Sequence, residues 1–139
     1  MTQEEIRLVQ ESVEEILPYA QEMGELLYQR LFEIAPEVQS LFKTDIVTQS
    51  RKLMSILVHI IANLDQLDKL TKEFKDLAAK HHDYRITPEH YRLLKAAFLW
   101  TLEQKISDWN MELENAWRIA YDTLAGAMIV EQEKIAVRD

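Results

Sequence analysis

Cysteine is absent from this chain of 139 residues, glycine occurs only twice and proline three times. Without cysteine there can be no disulfide, no thiolate metal site and no thioether-linked cofactor, and the chain suits a reducing cytoplasm. Scarce glycine, and the lack of turn-forming pairs typical of hairpins, argue against an antiparallel sheet protein. Positive charge is in deficit, with 16 lysines and arginines against 24 acidic residues and a formal net charge of −8. A field of that sign repels phosphate backbones and anionic lipid, so neither a nucleic-acid nor a membrane partner is expected. Long apolar runs are missing too. The longest, around Ile56–Leu64, is interrupted by His59 and Asn63 and is too short to span a bilayer. The opening MTQEEIRLVQESVEE is acidic and mixed, unlike a signal peptide. A soluble, cytoplasmic protein with a single domain over residues 1–139 is expected.

What is present is helix-forming. Alanine, leucine, glutamate, lysine and glutamine are abundant, and 47% of residues are hydrophobic, enough for a core without covalent staples. The fold class expected is therefore all-α. Thr2 followed by Glu5 forms a capping-box pattern ahead of the stripe Ile6, Val9, Val13, Ile16 and Leu17, and Pro18 interrupts that first helix. A second helix is expected over about Tyr19–Ile34, then a short bent piece from Pro36 to Leu41-Phe42. KTDIVTQ reads as a loop, and a third helix follows over about Thr48–Leu64 with Leu53, Ile56, Leu57, Ile60 and Ile61 on its apolar face. A fourth carries Leu67, Leu70, Phe74, Leu77 and Ala78 and ends near a double histidine. Thr87 and Pro88 mark the start of the fifth. Asn110 or Asp108 caps the last, whose stripe is Leu113, Trp117, Ala120, Leu124 and Met128.

Three of the four histidines fall in LAAKHHDYRITPEHY, residues 77–91. At about 100° per residue, His81 continues the stripe of Phe74 and Leu77 while His82 turns away from it. An inward histidine is either a ligand or a core side chain satisfied by hydrogen bonds, and spacing leaves both open. Gln49 precedes Leu53 by one turn, so it shares that helix's apolar face or looks into solvent from the first turn. Tyr28 stands one turn after Gly24, as a core aromatic or as a polar group in a pocket. Gly24 has a reason to be glycine if a second helix crosses closely there, with the small Ser50, next to Gln49, on the other side of the crossing. No histidine has Glu three residues before it, which excludes the di-iron bundle pattern. A His-Glu-x-x-His zinc motif, a P-loop and a dinucleotide fingerprint are also missing.

Taken in order, Gly24-x-x-x-Tyr28, Pro36, Leu41-Phe42, Gln49-Ser-Arg-Lys-Leu53, His81, Pro88-Glu-His-Tyr91 and Ala116-Trp117-x-x-Ala120-Tyr121 resemble the globin family. The resemblance is to bacterial single-domain haemoglobins and to the globin half of flavohaemoglobins. It implies a globin fold of six to eight helices around a pocket for non-covalent haem b. His81 would be the proximal ligand of the haem iron, with its second ring nitrogen donating to a backbone carbonyl, that of Leu77 being one turn back. His82 would face outward near a propionate, and His90 would be a surface residue. The resemblance puts Phe42 against the porphyrin and Tyr28, Gln49 and Leu53 in the distal pocket. Ile86, Tyr91 and Leu94 would pack on the proximal side, and Lys52 and Arg85 would meet the propionates.

The pattern departs from flavohaemoglobins at one place. Where the last helix of those proteins has a glutamate that supports the proximal histidine together with the tyrosine at Tyr91, this chain has Gln132, flanked by Glu131 and Glu133. A neutral amide pushes less electron density toward iron, although Glu131 could take over after a small helix rotation. The function implied is reversible binding of dioxygen at a pentacoordinate haem iron, with carbon monoxide and nitric oxide as further ligands. No reductase domain is expected after the last helix, so the alternative, nitric-oxide dioxygenation, would need a separate reductase. A gas sensor, or a globin-fold module without haem, is the second alternative.

Overall fold

Four of the six α-helices among the described residues start where the sequence supplies a side-chain cap, at Thr2, Asp45, Thr87 and Asn110. The structure, a computed structural model, describes residues 1–138, and all regular structure among them is helical. Helix α1 spans Gln3–Ile16 behind a reciprocal capping box, in which Thr2 Oγ1 accepts from the Glu5 amide and the Glu5 carboxylate accepts from the Thr2 amide. A short 3-10 turn, Leu17–Tyr19, holds Pro18 at its start and leads into α2, Ala20–Ile34. A second 3-10 piece, Pro36–Leu41, is the bent segment expected after Pro36. Helices α3 (Ile46–Ala62), α4 (Thr71–Asp83), α5 (Pro88–Lys105) and α6 (Met111–Arg138) complete the fold.

Two boundaries differ from those expected. Helix α3 begins two residues early because Asp45 caps it, accepting from the Thr48 amide at 2.9 Å. The expected loop KTDIVTQ therefore already contains the first turn. The fourth helix is split. Leu67 and Leu70 lie in a 3-10 run, Leu64–Leu70, that kinks at Gln66, and α4 proper starts at Thr71. Asn110, rather than Asp108, caps α6 through the Leu113 amide at 3.0 Å.

Packing divides the interior in two. Helix α2 crosses both α3 and α5, α1 lies on α6, and α4 rests on the far half of α6. Leu27, Ile61, Leu102 and Trp117 centre the larger buried cluster, while Ile60, Phe74, Ala78, Tyr91 and Met128 form a smaller one. Helices α3 and α4 make little direct contact with each other. The α2–α3 crossing is closest at Gly24: a Cβ there would stand 2.9 Å from the Ser50 Cβ and 3.0 Å from the Ser50 carbonyl oxygen. That is the reason for glycine inside this helix.

Candidate functional site

Helical spacing turns His81 inward and leaves open whether it is a ligand or a core side chain satisfied by hydrogen bonds. His81 sits in the last turn of α4, half-buried, with Phe74 and Ala78 buried on the same face. Beyond it the chain turns sharply. Arg85 takes a left-handed conformation, φ 60°, while the Ile86 amide bonds to the His81 carbonyl at 2.9 Å and the Arg85 amide to the His82 carbonyl at 3.0 Å. This is a Schellman-type stop with arginine where glycine is the usual choice. Helix α5 restarts at once on Thr87, whose Oγ1 accepts from the His90 amide while His90 Nδ1 accepts from the Thr87 amide. His90 is thus not a simple surface residue; it completes a capping box.

The tight corner brings Tyr91, in the first turns of α5, onto the edge of the His81 ring. Their side chains meet edge to face, with Tyr91 Oη 2.8 Å from His81 Nδ1. The partner of Nδ1 is therefore this phenol and not the Leu77 carbonyl expected from the family. On its other side the Tyr91 hydroxyl meets the Gln132 side-chain oxygen, and Gln132 Nε2 lies 2.9 Å from the Ile86 carbonyl. Tyr121 holds the base of this arrangement by donating its hydroxyl to the Tyr91 carbonyl at 2.5 Å. Glu131 takes no part: it pairs with Lys134 at 3.2 Å, about one turn further along α6. Gln132, and not Glu131, is the α6 side chain that meets the Tyr91 hydroxyl.

Donor and acceptor roles in the chain follow from its last member. The Ile86 carbonyl can only accept, so the amide NH₂ of Gln132 faces it and the amide oxygen faces Tyr91. Tyr91 must then donate to that oxygen, and its own oxygen accepts from His81. Nδ1 therefore carries the proton, and Nε2 carries the lone pair. Burial holds the His81 imidazole below the usual histidine range and pushes the Tyr91 phenol above its usual range, so both are neutral.

Across from α4, a second polar pair sits among apolar side chains. Gln49, in the second turn of α3, donates from Nε2 to Tyr28 Oη at 3.3 Å and accepts from Thr44 Oγ1 at 3.0 Å. Tyr28 is 3% exposed and lies against Phe42, edge to face at 5.2 Å, with Phe32 beside both rings. Burial raises the Tyr28 phenol, which stays a proton donor. Thr44 and Phe32 were not singled out from the sequence. Phe32, one turn after Tyr28, was legible from its spacing, whereas Thr44 lies outside any helical register.

The residues present fit a flat, apolar, anionic-edged group. Phe42, Leu53, Leu57, Leu77 and Ile86 are apolar yet only half-buried, on α3 and α4, which hardly touch, and on the segments just before α3 and just after α4. Such side chains are the walls that a slot for a macrocycle requires. Leu94, also half-buried, packs against the larger core. Lys52 and Arg85 are exposed, and neither has an ion-pair partner among the described residues. No group of three or more His, Asp or Glu side chains among the described residues is placed to hold a bare metal ion, and no helix is long and apolar enough to cross a membrane.

Comparison with known proteins gives this geometry a context. A family model described as Globin matches residues 25–128. An anaerobic nitrite reductase of Casuarina glauca is 32% identical over 148 aligned positions, covering 95% of this chain and 92% of that protein. A flavohemoprotein of Vibrio cholerae is 29% identical, covering 93% of this chain but only 34% of its own longer one. Among solved structures, a bacterial globin from Campylobacter jejuni superposes with a TM-score of 0.89 at 20% identity, covering 97% and 99% of the two chains. At that identity the superposition speaks for the fold.

Proposed function

The chain belongs to the globin family, and from that premise we propose that it is a cytoplasmic protein that holds non-covalent haem b and binds dioxygen reversibly. Carbon monoxide and nitric oxide would be further ligands. The observation that carries this reading is the His81 ring, whose Nδ1 proton is committed to Tyr91, so that the Nε2 lone pair is the one available to a metal. Bound haem would supply an iron with one coordination position left for a diatomic gas.

The protein's own residues divide the rest of the work. His81 would hold the iron from α4, while Phe42, Leu53, Ile86 and Leu94 would supply apolar contact to the macrocycle and keep water out. Lys52 and Arg85 would meet its carboxylates at the exposed edge. Tyr28, which accepts from Gln49, keeps its own proton to donate. Together with a Gln49 amide proton it offers two donors to a ligand that draws negative charge, in surroundings that strengthen such bonds. Dioxygen gains more from this than carbon monoxide, which carries less charge. High oxygen affinity and slow release follow.

A second reading, nitric-oxide dioxygenation with a separate reductase, is favoured by the similarity to a flavohemoprotein and by the tyrosine bonded to the candidate iron ligand. Multiple-turnover consumption of nitric oxide with a reductase supplied would support it, whereas a single stoichiometric event would leave storage as the function. The binding reading itself is tested by haem titration: uptake of one haem, lost in His81→Ala and kept in His82→Ala, is the expected result.

A further inference from the structure

Ion pairs are distributed unevenly over the surface. Outside residues 43–85, every lysine and arginine whose side chain is described has a carboxylate partner, as Arg7 has Glu11, Lys95 has Asp122 and Arg118 has Glu114. Inside that stretch no lysine or arginine has one among the described residues, although all eight are exposed. Five of the eight lie beside the candidate haem slot. Lys43, Lys52 and Arg85 are the chain neighbours of the wall residues Phe42, Leu53 and Ile86, Lys80 adjoins His81, and Arg51 precedes Lys52 in α3. From this juxtaposition we infer that the mouth of the slot is the docking surface for an acidic electron-carrier protein that keeps the iron in its ferrous, gas-binding state. Such docking rests on the proposed gas-binding function and extends it to a partner.

Charge separation supplies the attraction. Residues 43–52 and 80–85 together hold five cations and two carboxylates, whereas the rest of the chain holds 11 cations and 22 acidic residues. Of the two carboxylates, Asp45 is engaged by the amide and hydroxyl of Thr48. The haem carboxylates would occupy Lys52 and Arg85, which leaves Lys43, Arg51 and Lys80 for an outside partner. At about 0.1 M salt a charge is felt over only about 10 Å, so a compact acidic protein seated on the mouth senses these cations and little of the acidic remainder. A nucleic-acid duplex or an anionic bilayer extends past the mouth and meets that remainder, which repels it. The same mouth is where the edge of a bound macrocycle would come nearest to solvent, which suits electron entry. One electron passes from the reduced carrier, a flavin or iron–sulphur protein, to ferric iron. The carrier is oxidised by one electron, and no bond forms or breaks.

Stopped-flow reduction of the ferric, haem-loaded protein by reduced flavodoxin, an acidic flavin carrier, tests this. The parent's second-order rate should fall as salt rises above about 0.1 M, the sign of attraction. Net charge alone predicts the reverse, because two acidic proteins repel and salt relieves the repulsion. Lys43→Gln, Arg51→Gln and Lys80→Gln combined should slow reduction about tenfold at low salt and flatten the salt dependence. Photoreduced riboflavin, too small to need docking, should reduce parent and variant alike. Arg7→Gln, Lys105→Gln and Arg118→Gln combined make the same change in net charge away from the mouth and should react as the parent does. A second readout needs no turnover: oxidised flavodoxin added to the carbon monoxide complex should shift backbone amides within 43–52 and 80–85. A parent rate that rises with salt, amide shifts elsewhere, or an equal loss in both triple variants overturns the inference. So does binding to phosphatidylserine vesicles in place of flavodoxin, which would assign the cations to a membrane. A parent that takes up no haem contradicts the gas-binding function itself, and the docking with it, whereas haem uptake with reduction indifferent to the three cations contradicts the docking surface alone.

Discussion

The side-chain amide of Gln49 donates to the hydroxyl of Tyr28 across 3.3 Å, from one helix to another. The two helices come closest just beside this bond, where Gly24 lies against Ser50. A backbone contact thus sets the position of a pair of polar groups, and that link gives the pair a definite geometry.

Removing either donor should speed oxygen release. A net hydrogen bond is worth about 1 kcal/mol, or roughly five- to tenfold in rate. Tyr28→Phe is expected to lose at least that much, because the donated proton is its own, and Gln49→Leu somewhat less. Laser-flash kinetics on the haem-loaded variants measure this. Unchanged release in both would show that neither group touches the ligand.

The two glycines should respond in opposite directions. In Gly24→Ala the added methyl meets the Ser50 Cβ at 2.9 Å and its carbonyl at 3.0 Å, so α2 and α3 must part. A loss of about 1–3 kcal/mol is expected in denaturant unfolding. Nothing lies within 4 Å of a methyl at Gly126, mid-helix in α6. There alanine should stabilise by about 1 kcal/mol through helix propensity alone. Equal effects at the two positions would mean that the crossing is not tight.

Arg85 offers a separation of stability from cofactor retention. Its left-handed φ of 60° costs a non-glycine residue about 1 kcal/mol. Arg85→Gly should therefore stabilise the haem-free protein in urea, yet release haem several-fold faster if the guanidinium meets a carboxylate at the haem edge. Faster loss to an apo-acceptor protein alongside raised stability is the expected outcome. Unaltered haem loss would remove Arg85 from the site.

Much of this was legible in the sequence because caps and helical period are local. Thr2 with Glu5 and Thr87 with Pro88 mark helix starts by chemistry confined to one turn, and the register of His81 behind Phe74 and Leu77 needs only the pitch of a helix. The closeness of Gly24 to Ser50 could be anticipated because an interior glycine demands an explanation. The start of α3 is hard to read because Ile46, Val47 and Thr48 are β-branched and look poor for a helix, while the Asp45 cap compensates. The break at Gln66 leaves no mark in the apolar stripe. Least legible were bonds between distant elements. That Tyr91 rather than Leu77 faces His81 Nδ1 depends on the sharpness of the corner at Arg85, and that Gln132 rather than Glu131 reaches Tyr91 depends on how α4 and α5 settle against α6.

The most direct measurement is the absorption spectrum of the haem-loaded protein in its ferric, ferrous and oxygenated forms, taken for the parent, His81→Ala and His82→Ala. A five-coordinate ferrous spectrum and a stable oxygen complex, present in the parent and in His82→Ala but lost in His81→Ala, is the result expected. Failure of the parent to take up haem, or loss confined to His82→Ala, would contradict the proposed site.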